Sequence, residues 1–315
     1  MPWCRSSNCH RPSRIIELGS GRHRLTFARH FKPEYSLNMK FSIVHAGYFK
    51  LDGGAMFGIV PKKLWQRLNP PDENNLCTWS MQCLLIENGD RKILVDCGLG
   101  DKQSEKWRSF FEPHGDENLF DSLRNCSVNP EEITDVFLTH LHFDHCGGAV
   151  KIDEKGNYVP AFPNATYWSN EVHWNWAMEP NAREAASFLK ENFVPLKEAG
   201  VLRFIDVQKE LVEWLPDIQI QFAYGHTEAL MALHLDVDGK KYVYCSDLLP
   251  SSFHIGMPYV MAYDIRPLVT LEEKGQLLTQ SLEEDWTLIF EHDPAGAFGK
   301  VAKDERGRIV LSEKF

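Results

Sequence analysis

The chain has 315 residues, 43% of them hydrophobic, with a formal net charge of −10. That is enough apolar content for one large α/β domain, and the acidic balance disfavours a nucleic-acid surface, which needs a basic stripe against phosphate. No apolar run approaches the roughly 20 residues that span a bilayer, and the N-terminus lacks the apolar centre of a signal peptide, so neither nucleic acid nor membrane is an expected partner.

Residues 1–38 are rich in Arg and His and carry no periodic apolar pattern. They read as a flexible N-terminal extension, with a matter of start-site choice or a basic targeting peptide as the alternatives, and the folded domain is expected to span 39–315. Lys40–Ala46 is the first predicted strand, and Pro61–Arg67 fits a short helix. Met81–Ile86 and Arg91–Val95 are apolar runs separated by Asn88-Gly89, a hairpin signal. Leu119–Arg124 fits a helix, and Glu131–Leu138 ends in Val-Phe-Leu, a buried strand. Asn181–Asn192 has a helical pattern and Ile218–Phe222 a strand pattern. Ala232–Val237 and Lys241–Cys245 form a second hairpin across Asp238-Gly239. Leu271–Ser281 is a predicted helix and Thr287–Phe290 a last buried strand. Hairpins first and helices between later strands fit two mixed sheets packed face to face with helices outside. The eight cysteines, at 4, 9, 77, 83, 97, 126, 146 and 245, form no CxxC pair. A chain this long needs no disulfide staples, so reduced thiols in a cytoplasmic protein are expected.

The chemistry concentrates in Thr139-His140-Leu141-His142-Phe143-Asp144-His145-Cys146-Gly147-Gly148, directly after a buried strand. Three histidines and an aspartate within six residues do not serve packing, because each imidazole and carboxylate would need a buried partner. Imidazole nitrogen and carboxylate oxygen are the usual ligands of catalytic zinc. His140 and His142, on alternate positions, can point to one metal, and Asp144 and His145 can turn toward a second as the chain leaves the strand. Gly147-Gly148 allows a tight bend there.

This HxHxDH motif resembles the signature of the metallo-β-lactamase superfamily. The companion motifs follow in order: Gly225-His226-Thr227, Ser246-Asp247 and Glu291-His292-Asp293-Pro294 downstream, with Val95-Asp96-Cys97-Gly98 upstream, each at the C-terminal end of a predicted strand. Alone, His226 or His292 would read as a satisfied structural histidine; their weight comes from position relative to the first motif. His10, His23, His30, His45, His114, His173, His234 and His254 lack such context and read as ordinary surface or core histidines. The resemblance covers residues 40–295 and implies an αββα sandwich of two mixed β-sheets flanked by helices. It also implies two Zn2+, or another divalent metal, as cofactor. His140, His142 and His226 would hold one ion, Asp144, His145 and His292 the other, with Asp247 bridging and Asp96 supporting the ligands from behind. Asp144 and Asp247 would be the catalytic carboxylates, orienting a hydroxide and carrying a proton to the leaving group. Where the oxygen-reducing di-iron members of the superfamily have a glutamate, this chain has His142, which argues against redox chemistry.

Within the superfamily, His-Leu-His-Phe-Asp-His resembles the acyl-homoserine lactonases. Gly53-Gly54-Ala55-Met56-Phe57-Gly58, with Pro61 and Trp65, resembles the N-terminal loop of the lactonase and methyl parathion hydrolase branch. Two departures stand out. Pro250 occupies the place where lactonases carry a substrate-binding tyrosine, with Tyr259 or Tyr263 as substitutes, and the usual Gly-His-Thr-Pro-Gly-His reads Gly-His-Thr-Glu-Ala-Leu here. Met56, Phe57, Trp65, Trp79 and Met261 are expected near the pocket mouth, either as a hydrophobic wall or as core or dimer contacts. The expected function is a carboxylic ester or lactone hydrolase acting on a small-molecule substrate, with a homodimer as the expected assembly. The alternatives are a phosphotriester or phosphodiester hydrolase on the same site and a non-catalytic metal-binding protein.

Overall fold

The computed structural model describes residues 39–315; the extension expected over 1–38 lies outside them. In chain order the strands are β1 (Lys40–Asp52), β2 (Leu76–Asn88), β3 (Arg91–Val95), β4 (Asp135–Phe137), β5 (Val150–Ile152), β6 (Tyr158–Pro160), β7 (Thr166–Asn170) and β8 (Leu202–Ile205), followed by β9 (Val212–Leu215), β10 (Ile218–Ala223), β11 (Leu230–Val237), β12 (Lys240–Tyr244), β13 (Thr287–Ile289), β14 (Phe298–Lys303) and β15 (Ile309–Lys314). One sheet runs β1-β2-β3-β4-β7-β8 and a second runs β15-β14-β13-β12-β11-β10-β9, while β5 and β6 pair separately. Both large sheets are mixed: β3, β4, β7 and β8 pair in parallel, as do β12 and β13, and the remaining neighbours are antiparallel.

Side-chain alternation along the strands builds the layers. Leu84, Ile86, Ile93 and Phe137 of the first sheet pack against Ile220, Leu233, Leu235 and Ile289 of the second, filling the space between them. Cys83, Leu85, Leu94 and Val136 face the other way, onto helices Leu119–Asn125, Glu171–Met178 and Val194–Glu198. Val243, Leu288 and Phe290 cover the outer face of the second sheet with Leu277 and Leu278 of helix Pro267–Glu283. Each fully buried aliphatic or phenyl side chain contributes about 1.5–3 kcal/mol relative to exposure, so the three clusters together hold an αββα sandwich. No helix among the described residues is long and apolar enough to cross a membrane.

Most predicted elements are present, with shifts that have local causes. The β2–β3 turn centres on Gly89-Asp90 because Asn88 pairs with Arg91. The β11–β12 turn is Asp238-Gly239, both with positive φ (52° and 77°), as the turn type favoured between antiparallel strands requires. The strand expected over Glu131–Leu138 narrows to β4, since Pro130–Glu132 forms a 3-10 turn. The helix expected over Asn181–Asn192 is absent; only Lys190–Asn192 makes a 3-10 turn. Asn181 Oδ1 accepts from the backbone N–H of Arg183 (2.9 Å) and Glu184 (3.2 Å), and the Ser187 carbonyl accepts from Phe143 N at 3.0 Å. The Asn181 bonds are those of a helix N-cap, so the turn they start is broken further on, where Ser187 gives its carbonyl to Phe143 rather than to a following helical N–H. The segment is thus shaped by what it serves rather than by its own periodicity.

Candidate metal centre

Every expected ligand lies just beyond a strand's C-terminal end, at one edge of the sandwich. From β4 the chain runs through Thr139 to His140 and His142, then winds a single helical turn, Phe143–Cys146, that swings Asp144 and His145 inward. Gly147 and Gly148 follow, packed so closely on the Asp96 turn that a Cβ on them would overlap the carbonyl oxygens of Leu99 and Cys97. His226 follows β10, Asp247 follows β12 and His292 follows β13. The first four ligands therefore come from one sheet and the other three from its partner.

The structure brings all seven together, and all are buried. One donor atom each from His140, His142 and His226 lie within 4.8 Å of one another; the same holds for Asp144, His145 and His292, and for His140, His145 and Asp247. Asp247 stands between the two groups, with Oδ2 3.2 Å from His226 Nε2 and Oδ1 3.2 Å from His292 Nε2.

The hydrogens on the imidazole rings point outward, away from the other ligands. His292 Nδ1 is 2.8 Å from the Ser80 carbonyl, which only accepts, so Nδ1 carries the hydrogen. His226 Nδ1 donates to Asp264 Oδ1 at 2.9 Å. His142 Nε2 faces Glu184 Oε1 at 3.1 Å, and His145 Nδ1 faces Glu291 Oε2 at 2.9 Å and Asp96 Oδ2 at 3.1 Å. Thr139 Oγ1 donates to Asp96 Oδ2 at 2.7 Å, leaving it free to accept from His140 Nδ1 at 3.1 Å. In the neutral rings the opposite nitrogens are then bare lone pairs, and they converge. His142 Nδ1 lies 3.1 Å from both His140 Nε2 and His226 Nε2, and His145 Nε2 lies 3.1 Å from His292 Nε2. Asp247 Oδ1, close as it is to His292, has no donor aligned with it. Cations satisfy such a donor set, and imidazole with carboxylate suits zinc.

The electrostatics point the same way. Burial, reinforced by the other imidazoles, drives His140 well below its ordinary pKa. Burial opposes charge on His145 too, yet Glu291, Asp247 and Asp144 hold it well above the ordinary value. Burial likewise opposes charge on His292, but Asp247 raises it to about 9. Burial would raise Asp247, but His292, His145 and His226 hold it well below the usual carboxylate range. The field around Asp247 therefore calls for positive charge.

Asp96 takes a left-handed backbone, φ 58°, which costs a non-glycine residue about 1–3 kcal/mol. In return Asp96 accepts from Thr139 N at 2.8 Å, fixing the start of the HxHxDH loop as well as orienting His145. Three further carboxylates that the sequence did not disclose act similarly: Glu184 on His142, Asp264 on His226 and Glu291 on His145. Burial opposes the Glu184 charge, but bonds from His142, Thr227 and Trp176 lower it to about 2. Glu184 is 42 residues from His142 and Asp264 is 38 from His226, so no local spacing could have linked them. His173, expected to be ordinary, also serves the site. Its Nε2 accepts from Leu141 N at 2.8 Å while Nδ1 donates to the Glu228 carbonyl at 2.6 Å, tying the HxH segment to the His226 loop.

A cavity of about 320 Å³ opens over the centre. Met56, Tyr263 and Met261 line it as expected, joined by Leu51, Phe111, Phe143, Arg183 and Ser187. Phe57 and Tyr259, also expected there, are not among its lining residues. Phe57 stacks between Trp65 (centroids 5.1 Å) and His254 (5.2 Å), with Tyr259 edge-on at 6.1 Å, in a layer behind the wall. Trp79 belongs to the same layer. On two wall segments a lining residue precedes a bracing one: Arg183 beside Glu184, and Tyr263 beside Asp264. Asp264→Ala is expected to weaken zinc retention about 10–100-fold, as loss of an imidazole's outer partner does. Competition against a chromogenic chelator measures this, and unchanged retention would remove Asp264 from the role.

The model of the metallo-beta-lactamase superfamily matches residues 80–292. An N-acyl homoserine lactonase of Bacillus cereus is 20% identical over 259 residues, covering 78% of this chain and 90% of its own length. Another from Bacillus sp is 21% identical over the same shares. Among solved structures, a probable metal-dependent hydrolase from Staphylococcus aureus superposes with a TM-score of 0.77 at 26% identity, over 88% of this chain and 98% of its own. AidC, a dizinc quorum-quenching lactonase in complex with a product, gives 0.70 at 20% identity, over 88% and 95%.

Proposed function

The chain belongs to the metallo-β-lactamase superfamily, and from that premise we propose that it is a dinuclear zinc hydrolase of small carboxylic esters or lactones. The observation that carries this reading is the convergence of seven buried side chains able to ligate a metal, five of them lining a cavity with a tyrosine in its wall. His140, His142 and His226 would hold one zinc, Asp144, His145 and His292 the other, and Asp247 would bridge. Two such ions supply Lewis acidity toward the substrate oxygen and a water made nucleophilic at neutral pH.

The protein's own groups do the rest. Asp144 turns Oδ2 toward His145 (3.9 Å) and His292 (3.7 Å), which leaves Oδ1 to take a proton from the attacking water and pass it to the departing alkoxide. A tyrosine phenol keeps its hydrogen at neutral pH, and partial desolvation in the cavity wall, with Asp52 and Asp144 nearby, pushes that of Tyr263 higher still. Tyr263 is then the donor for the negative charge that develops on the substrate oxygen, filling the role left vacant by Pro250. Leu51, Met56, Phe111 and Phe143 give the substrate an apolar surround.

A panel of acyl-homoserine lactones, aryl esters, a phosphotriester and a β-lactam, offered to the zinc-loaded protein, tests the reading. Turnover of a lactone or aryl ester is expected, lost on chelation and restored by zinc. Faster phosphotriester turnover would transfer the site to phosphoester chemistry. Silence with two zincs bound would sink the hydrolase reading in favour of a non-catalytic metal-binding role. Tyr263→Phe is expected to lower kcat on the best substrate about 10²-fold, as loss of a single oxyanion donor does. An unchanged kcat would remove Tyr263 from the chemistry.

A further inference from the structure

Arg183 is the one basic side chain, apart from histidines, among the residues lining the cavity. The carboxylates that share the cavity are occupied elsewhere. Asp144 and Asp247 face the histidines, and Glu184 takes bonds from His142, Trp176, Asn181 and Thr227. Arg183 has no ion pair among the described residues. Its only side-chain bonds there run from Nη2 to the carbonyl oxygens of Ala262 and, at 3.4 Å, Asp264. A guanidinium carries five N–H donors in a rigid fork, so Nε and Nη1 are left without a described acceptor. That fork matches a carboxylate in two parallel bonds. The bonds to Ala262 and Asp264 also fix where the guanidinium sits. It lies against the segment that carries Tyr263, while its neighbour Glu184 braces His142.

Taking the cavity as the hydrolase site described above, we propose that Arg183 sets its specificity, and that the preferred substrate is a small ester or lactone bearing a free carboxylate. The guanidinium holds that carboxylate while the reacting carbonyl lies over the centre and the apolar walls take the carbons between. The competing role is a plain latch between the two wall segments, which predicts the same loss for every substrate.

The test is a ratio. With the zinc-loaded enzyme, kcat/KM is measured for mono-(4-nitrophenyl) glutarate and for its methyl-capped diester, in wild type and in Arg183→Gln, which keeps an N–H for the Ala262 carbonyl but removes the charge. Wild type is expected to prefer the acid by roughly tenfold or more, the scale of one charge-assisted hydrogen bond, with the preference shrinking in high salt. Arg183→Gln is expected to bring the ratio near one. A wild-type ratio near one, or a ratio that survives the substitution, overturns the proposal. If Arg183→Gln does not fold, Arg183→Lys carries the test: a reduced ratio supports the fork, and an undiminished one overturns it. If neither ester is hydrolysed, the failure belongs to the hydrolase reading, and glutarate monoamide titrated calorimetrically into the same zinc-loaded proteins decides the point. Binding at least tenfold weaker in Arg183→Gln supports recognition by Arg183, and equal binding overturns it.

Discussion

His142→Ala is expected to cost at least one zinc per chain and to lower kcat/KM on the best substrate by roughly 10³-fold or more. The loss is that large because His142 is central to its group of three, with Nδ1 3.1 Å from both His140 Nε2 and His226 Nε2. Metal stabilisation of developing charge amounts to several kcal/mol, and each 1.36 kcal/mol is tenfold in rate. The substitution also strands Glu184, whose carboxylate is held ionised at about 2 partly by His142. Zinc content by mass spectrometry and activity on the same preparation give the answer, and a variant with two zincs and full activity would refute the ligand assignment.

Gly148→Ala is expected to destabilise the fold by more than about 4 kcal/mol, in the range reserved for a specific structural insult. The added methyl would overlap the Cys97 carbonyl, a backbone atom with nowhere to go. Cys97 N donates to the His145 carbonyl at 2.7 Å, and Gly148 N donates to the Gly98 carbonyl at 2.9 Å. Moving the turn aside would pull Asp96 from Thr139 and His145 together. Urea unfolding measures the loss, with Gly275→Ala as control. That glycine lies within helix Pro267–Glu283, where a Cβ meets only the flexible end of Met257 and alanine is the better helix former. A Gly148→Ala midpoint equal to that of the control would show that the two turns are less tightly bound than their geometry requires.

The positions that converge at the centre were legible in the sequence because they fall at strand ends and because charged groups crowded after an apolar run have few other uses. Asp96, His140, Asp247 and His292 could each be placed at the end of a predicted strand. What braces them was not legible. Glu184 and Asp264 sit far along the chain from their histidines, and the helical period of Asn181–Asn192 is interrupted where the Ser187 carbonyl takes the N–H of Phe143. The cavity wall was half legible. Met56 and Phe57 are adjacent and both apolar, yet Met56 lines the cavity while Phe57 turns back onto Trp65, a choice made by packing rather than by residue type.

The pairing of Arg183 with Glu184, and of Tyr263 with Asp264, constrains how such a protein can change its diet over generations. A substitution that shifts the backbone at either wall position moves the brace beside it, so a gain in one substrate would then be offset by looser metal. Leu51, Met56 and Phe111 line the same cavity with no carboxylate that holds His142, His145 or His226 as neighbour. A lineage under selection for a new substrate is therefore expected to accumulate its early substitutions at those three positions. Arg183 and Tyr263 would change late, and only alongside compensation at their acidic neighbours.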